Sequence, residues 1–414
     1  MNRQRREVVF TGAGICTHMG DDLDRIAKDL RAGKATPFRA YEEAVRYNGR
    51  CQIIGIYPGD LDAGALGVGK QEARFMGRAS LMALKATRAA LAQSGIDPAP
   101  LAVVVGTGTG DVATHIEIAE KLRSKGSMRR VSATVIPKLM ASTVSANLAT
   151  VLRARGPSFT ASAACAGGNY NIAIAAGFIE IGVVDAAIAG GVEVGDPHFF
   201  AGFDTMRAYN GGDNDHPERA SRPYAEDRAG FIFSEGAGIV ILEEKEAAER
   251  RGARVLGVLR GYGMTSDGVG EMVQPSGEGA EAAMRSALED AGVSPDEIDY
   301  VNTHATSTAI GDLSEVRAMR RVFGERRVPY SSIKGYTGHP VSAAGSIEAI
   351  LTLEMLRGGW IAPSVNAEPL GPEFLDYPPV LVPTNATLKV ALSNSFGFGG
   401  TNACIVLEAA PRGA

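Results

Sequence analysis

The chain is poor in the side chains that most often carry special chemistry: its 414 residues include six histidines, four cysteines and one tryptophan. The cysteines, Cys16, Cys51, Cys165 and Cys404, stand far apart with no C-x-x-C pair. That spacing argues against a disulfide framework or a structural zinc site, and a chain of this length needs no such staples. No apolar run approaches the roughly 20 residues that span a bilayer. Val8-Val9-Phe10, behind the basic Met1–Arg6 segment, is too short for a signal-peptide core, so that segment reads as a solvated tail. Positive charge is not in excess either. Lysine and arginine number 42 against 47 acidic residues, a net charge of -5, so nothing global attracts nucleic acid or an anionic membrane. The expectation is a cytoplasmic protein with no membrane insertion. Glycine is plentiful instead, at 51 residues, as tight turns and close backbone approaches require.

Short apolar runs alternate with alanine-rich amphipathic segments, the pattern of layered α/β architecture. Strands are expected at 7–11, 101–106, 158–161, 186–189, 238–243, 255–263, 300–303, 381–382 and 403–408. Helices are expected at 74–94, 142–152, 168–181, 278–291, 312–323 and 346–358. Ser94-Gly95-Ile96-Asp97-Pro98 and Ala291-Gly292-Val293-Ser294-Pro295 both read as a helix end followed by a stop. The similarity extends further. Segments 79–106, 159–179 and 230–243 find counterparts, in the same order, at 281–304, 333–356 and 394–408. This predicts two duplicated halves, 1–250 and 251–414, with Cys165 and His339 at corresponding turns near a pseudo-twofold axis.

Cys165 follows Thr160-Ala161-Ser162-Ala163-Ala164 and precedes Ala166-Gly167-Gly168, where a helical pattern begins. A thiol at a helix N-terminus feels the positive end of the macrodipole, which predicts a lowered pKa and a nucleophilic sulfur. A lone cysteine is more often structural, so partners decide. His304, in Asn302-Thr303-His304-Ala305-Thr306-Ser307-Thr308, ends a strand; His339, in Tyr336-Thr337-Gly338-His339-Pro340, precedes a helix. A neutral imidazole can donate a hydrogen bond to a thioester oxygen as it becomes negative. Either histidine alone would be read as a core or capping residue, whereas two with one cysteine make a constellation. No metal is expected, for the three lack ligand spacing. Asn394–Asn402 reads as a Gly/aromatic turn whose backbone N–H groups can point into a site, or as a plain hairpin turn. Gly106-Thr107-Gly108-Thr109-Gly110 lacks the Gly-Lys-Ser/Thr ending of a phosphate loop and reads as a tight turn near the site.

Taken together, Cys165 in its small-residue elbow, His304-Ala305-Thr306-Ser307-Thr308, Lys334 with Thr337-Gly338-His339, and Asn394–Asn402 resemble the β-ketoacyl-acyl carrier protein synthases. The likeness covers nearly the whole chain. Thr265–Gly268, Pro275–Ala280 and Glu218–Arg222 are most similar to the type I branch. The resemblance implies a thiolase-like fold of two duplicated halves in an α-β-α-β-α sandwich, working as a homodimer. It implies a fatty-acid-elongating acyltransferase in which Cys165 carries the acyl chain and His304 and His339 stabilise the enolate of decarboxylated malonyl-carrier protein. By the same resemblance Lys334 pairs with Glu348 near the histidines, and the N–H groups of Cys165 and Phe398 form an oxyanion hole. Phe398 gates the acyl pocket, Thr306 and Thr308 bond the phosphopantetheine arm, and Phe396, Gly399 and Glu348 complete the substrate site. No separate cofactor is implied, since that arm arrives on the acyl carrier protein. Arg74, Lys125, Arg129 and Arg130 are candidates for docking this acidic partner, or simply form a solvated charged face. Ala305, Ala163-Ala164, Gly167-Gly168 and Tyr336 depart from the commonest family pattern, which bears on acyl preference. A polyketide-type ketosynthase and a non-catalytic carrier-binding subunit are the alternatives.

Overall fold

In the computed structural model, which describes residues 5–268 and 272–410, ten strands form the central sheet. They are β1 (Val8–Thr17), β2 (Ala102–Gly106), β3 (Ser158–Phe159), β4 (Ala186–Glu193), β5 (Gly236–Glu244), β6 (Gly257–Ser266), β7 (Tyr300–Asn302), β8 (Tyr330–Ser331), β9 (Val390–Gly397) and β10 (Thr401–Ala409). Their spatial order is β8-β7-β9-β10-β6-β1-β5-β4-β2-β3. Numbered within each half, both sides read 3-2-4-5-1 outward to inward. The halves join where β1 meets β6 antiparallel, from Val8 opposite Leu259 to Phe10 opposite Gly257. A shared strand order of this kind is the spatial form of the repeat read from the sequence.

The helices repeat as well. Six that build the layers are α1 (Arg78–Ser94), α2 (Thr143–Leu152), α3 (Gly167–Glu180), α4 (Glu278–Ala291), α5 (Ala309–Phe323) and α6 (Ala344–Gly358). Gly95 and Gly292 cap α1 and α4 in the left-handed region, as the stop signals predict. Strands buried on both faces show why the layers form. Ala102 and Val104 face α3 and α6, while Val103 and Val105 face α1 and α2. On the other side Val301, Leu392, Cys404 and Val406 pack against α4 and α5. The result is α-β-α-β-α, with α3 and α6 at the centre and near-continuous apolar strands on either side. Cys404 is thus a core residue.

The pseudo-symmetry corrects one expected pairing. The turns Ala164–Ala166 and Val341–Ala343 each open with a non-glycine residue at positive φ, Ala164 at 45° and Val341 at 35°, and each leads into a central helix. Ser342 is therefore the counterpart of Cys165, and His339 stands three residues earlier. The two helices approach so closely that a Cβ on Gly168 would lie 2.5 Å from the Ser346 nitrogen.

Three other expectations change. Helix α1 starts at Arg78, not Arg74, because Gly77 is extended and separates it from the short helix Lys70–Ala73. Leu381-Val382 is loop, and the strands that follow it are the short Thr384–Asn385 and β9. Arg5 and Arg6 are not free tail residues: Arg5 pairs with Glu180 at 2.6 Å and Arg6 with Asp185 at 2.7 Å. Met1–Gln4 lie outside the described residues.

Candidate active site

A cavity of about 650 Å³ opens between the halves, and Cys165, His304, His339, Thr306, Thr308, Phe396 and Phe398 all line it. Each comes from the end of a different structural run. Cys165 sits on the turn entering α3, His304 just beyond β7, and His339 before the turn into α6. Phe396 is the last residue but one of β9, and Phe398 lies in the hairpin between β9 and β10. The imidazole centroids of His304 and His339 are 5.3 Å apart with rings at 82°. The sequence constellation is one place in space.

Cys165 is 5% exposed, at the boundary between the cavity and an apolar cluster that includes Phe200, Phe231, Phe233 and Val341. Burial pushes its thiol up to about 12. The Lys334 charge and the N–H groups of Phe398 and of Cys165 itself act the other way and do not overcome it. Here the expectation of a lowered thiol pKa fails, because desolvation of the sulfur outweighs the helix terminus. Yet two backbone N–H groups converge on the sulfur. That convergence depends on Gly397, whose Cβ, if it had one, would lie 3.0 Å from the Cys165 nitrogen.

Both imidazoles are held neutral. Burial is the main cause for each, followed by the nearby Lys334 charge, and for His304 by His339 as well. Both Nδ1 atoms are sealed in protein with no partner among the described residues. The main chain positions the rings. Glu315 accepts from the N–H of His304 at 2.9 Å and of Ala305 at 2.8 Å, and Asn394 Nδ2 donates to it at 2.9 Å. Asp312 accepts from the Ser307 N–H at 3.1 Å, holding the Thr306–Thr308 loop. The His339 N–H donates to the Ile232 carbonyl at 2.8 Å, and Ser234 Oγ donates to the Thr337 carbonyl at 2.6 Å. An arm of the first half thus grips a histidine of the second.

Lys334 and Glu348, both 1% exposed, pair directly with one another and stand behind the imidazoles rather than on the cavity wall. Burial raises the Glu348 carboxyl to about 7, with Lys334 opposing. The Gly399 N–H donates to the Met272 carbonyl at 2.7 Å, tying the hairpin to the 272–277 segment at the cavity mouth. Arg74, Lys125, Arg129 and Arg130 are exposed and none lines the cavity. Among the described residues no group of three or more His, Cys, Asp or Glu side chains could hold a metal ion.

Sequence reasoning missed Phe231, whose ring stands edge-on to His339 at 5.0 Å, as Phe396 stands to His304 at 5.9 Å. Phe231 and Phe396 each precede their strand, β5 and β10, by five residues, so the repeat register itself carried the signal. It also missed Glu193, whose carboxylate fills the Thr107–Thr109 turn. That turn is occupied by the protein's own carboxyl group.

The fold and this geometry can be set beside known proteins. Residues 5–248 match the model for the β-ketoacyl synthase N-terminal domain and residues 256–368 that for the C-terminal domain. The chain is 37% identical over 413 residues to 3-oxoacyl-[acyl-carrier-protein] synthase 1 of Haemophilus influenzae, covering 97% of this chain and 99% of that one. It is also 37% identical over 410 residues to the synthase 1 of Escherichia coli K12, with the same coverage. The crystal structure of a β-ketoacyl synthase from Burkholderia phymatum superposes with a TM-score of 0.91 at 32% identity, covering 98% of this chain and all of that one. A ketosynthase solved with its type II polyketide acyl-carrier protein superposes at 0.88 with 26% identity, covering 98% of this chain and all of that one.

Proposed function

The chain belongs to the β-ketoacyl synthase family, and on that premise we propose how its own residues carry out the reaction. It is a 3-oxoacyl-acyl carrier protein synthase, an acyltransferase of fatty-acid biosynthesis that lengthens an acyl chain by two carbons. The reading of its site rests on one observation: a sulfur under two convergent N–H groups shares a cavity with two neutral imidazoles.

In the first stage Cys165 Sγ attacks the thioester carbonyl of an acyl-carrier protein. The developing oxyanion is held by the Cys165 and Phe398 N–H groups, a contribution of about 3 kcal/mol in comparable sites. The proton that Cys165 gives up leaves with the carrier's thiol, so this stage balances with no net uptake or release of a proton. In the second stage malonyl-carrier protein enters, the bond to its carboxylate breaks, and CO2 departs. Neutral His304 and His339 donate hydrogen bonds to the thioester oxygen as it takes on enolate charge. The enolate carbon attacks the acyl-Cys165 carbonyl, and collapse expels the sulfur, which recovers a proton. Burial keeps the imidazoles neutral, and the charge of Lys334, paired with Glu348, adds to it. Thr306 and Thr308, on the cavity wall, bond the pantetheine arm. Phe396 and Gly399 complete the substrate site, with Glu348 behind it, and Phe398 gates the acyl pocket. The arm brings the only prosthetic chemistry, and no free cofactor takes part.

We further propose a division at 250/251, between the two matched domains, a cytoplasmic location, and a homodimer. No described helix is long and apolar enough to cross a membrane. Strand β3 is a sheet edge pairing only with β2, and Met128 and Ile136 are exposed at 83% and 66% on the flank that packs through α2. Unpaired edges and apolar patches of this kind invite a second copy. The exposed Arg74, Lys125, Arg129 and Arg130 face an acidic carrier protein. The structural likeness to polyketide ketosynthases favours a second reading, the same chemistry on another acyl chain. Incubation with labelled acyl-carrier protein followed by peptide mapping tests the enzyme reading. Label on Cys165 is expected, whereas an unlabelled protein would favour a carrier-binding subunit without catalysis.

A further inference from the structure

Glu193 ends β4, is fully buried, and belongs to no step described above. Among the described residues its carboxylate has four donors and no cationic partner. Oε1 accepts from the Thr107 hydroxyl at 3.0 Å and the Thr109 hydroxyl at 3.3 Å. Oε2 accepts from the Gly108 N–H at 2.9 Å and, at the limit of its reach, from the Ser342 N–H at 3.4 Å. The first three donors lie in the turn after β2 of the first half, the fourth in the turn into α6 of the second. Burial without a cation raises this carboxyl to about 7.

What the fourth bond holds is the unusual part of the chain. Ser342 follows Val341, a β-branched residue at φ 35°, a conformation that persists only where its surroundings enforce it. Val341 packs in the Cys165 cluster, and its Cγ1 is 3.6 Å from the position a Gly108 Cβ would take. Only Pro340 separates Val341 from His339. The strained turn therefore sets the direction of that imidazole, and Glu193 bonds the turn's backbone from the opposite half.

We propose that Glu193 is a positioning residue whose side chain staples the Thr107–Thr109 turn to Ser342 and thereby aims His339 at the substrate thioester. The proposal rests on the condensing reading of the site. The division of donors makes reach, not charge, the working property. A glutamine can put its amide oxygen where Oε2 accepts from both N–H groups, and its NH2 where Oε1 stands, because the two threonine hydroxyls can turn to accept. An aspartate keeps the charge but is one methylene shorter, so an arm already at 3.4 Å no longer spans the gap.

Glu193→Gln and Glu193→Asp are both small changes, and two partial reactions separate their effects. Malonyl-carrier decarboxylation needs the aimed imidazoles; acyl loading needs Cys165 and its N–H groups. The staple predicts that the glutamine variant keeps decarboxylation within about threefold of the parent. It predicts that the aspartate variant loses tenfold or more in kcat for decarboxylation, with KM little changed and acyl loading reduced less than threefold. The reverse order, aspartate active and glutamine impaired, would assign the role to charge and overturn the proposal. Equal losses in both partial reactions would reduce Glu193 to packing, and two fully active variants would make the staple unnecessary; either overturns it. If the parent enzyme itself neither loads nor decarboxylates, the condensing reading fails instead.

Discussion

At the residue scale the candidate triad was legible because cysteine and histidine are scarce here, so three of them in glycine-rich turns stand out. Their electrostatics were not legible, since helix position is visible in a sequence and desolvation is not. The buried sulfur makes Cys165→Ala informative. Condensation should fall to background, while decarboxylation of malonyl-carrier protein continues on His304 and His339, measured as CO2 release. His304→Ala should do the reverse, cutting decarboxylation 10²-fold or more while acyl loading of Cys165 persists. An unchanged CO2 rate would remove His304 from its assigned role. A third residue tests the burial argument away from the site. His18 is buried and stacked on Phe38 at 4.8 Å, its Nε2 3.1 Å from the Thr36 carbonyl, and burial lowers it to about 4. A depressed histidine binds fewer protons folded than unfolded, so its contribution is complete above pH 6.5 and is lost as pH falls toward 4. The span corresponds to about 3 kcal/mol. His18→Gln keeps a donor for Thr36 and loses the titration. Its melting temperature should therefore fall less than the parent's between pH 6.5 and 4.5, and parallel curves would contradict the assignment.

At the scale of elements, most long helices were read, but Val112–Lys125 was missed, and so were polar strands. The segment Glu278–Ala291 was expected and found at the same residues, because apolar spacing and Gly292 mark its limits. Strand β9 was missed because Ser393-Asn394-Ser395 is polar. These residues are fully buried all the same, with Asn169 donating to the Ser393 carbonyl and Asn394 donating to Glu315. Leu381-Val382 erred the other way: Val382 is 66% exposed between prolines. Polarity in these two segments follows tertiary partners rather than strand periodicity. The close crossing of α3 and α6 gives the element-scale prediction. Gly168→Ala places a methyl group against the backbone of Ser346, where no flexible side chain can give way. It should cost about 2 kcal/mol of stability in denaturant titration and lower condensation, since the same helices carry Cys165 and the turn after His339. An unchanged midpoint would mean that the crossing relaxes freely.

At the scale of the molecule, duplication places the chemistry. Two units with strand order 3-2-4-5-1 meet at β1 and β6, and their matching turns bring Cys165 from one unit beside His304 and His339 from the other. The repeat was visible in the order of helix stops and glycine turns. Its register was off by three residues at one turn, because His339 drew attention that belonged to Ser342. Assembly is the remaining property at this scale. If the flank carrying Ile136 is covered by a second copy, Ile136→Glu should shift the mass measured by light scattering from dimer toward monomer. A parent chain already monomeric at micromolar concentration would refute that assembly.

Condensation depends above all on a sulfur and two imidazoles serving one thioester in sequence, and a single turnover followed by intact-protein mass spectrometry reads that directly. Enzyme acylated on Cys165, mixed with malonyl-carrier protein, should lose its acyl mass in step with the release of one CO2 and the appearance of a carrier-bound β-ketoacyl chain two carbons longer. Persistence of the acyl mass while CO2 is released and no longer chain forms would contradict it.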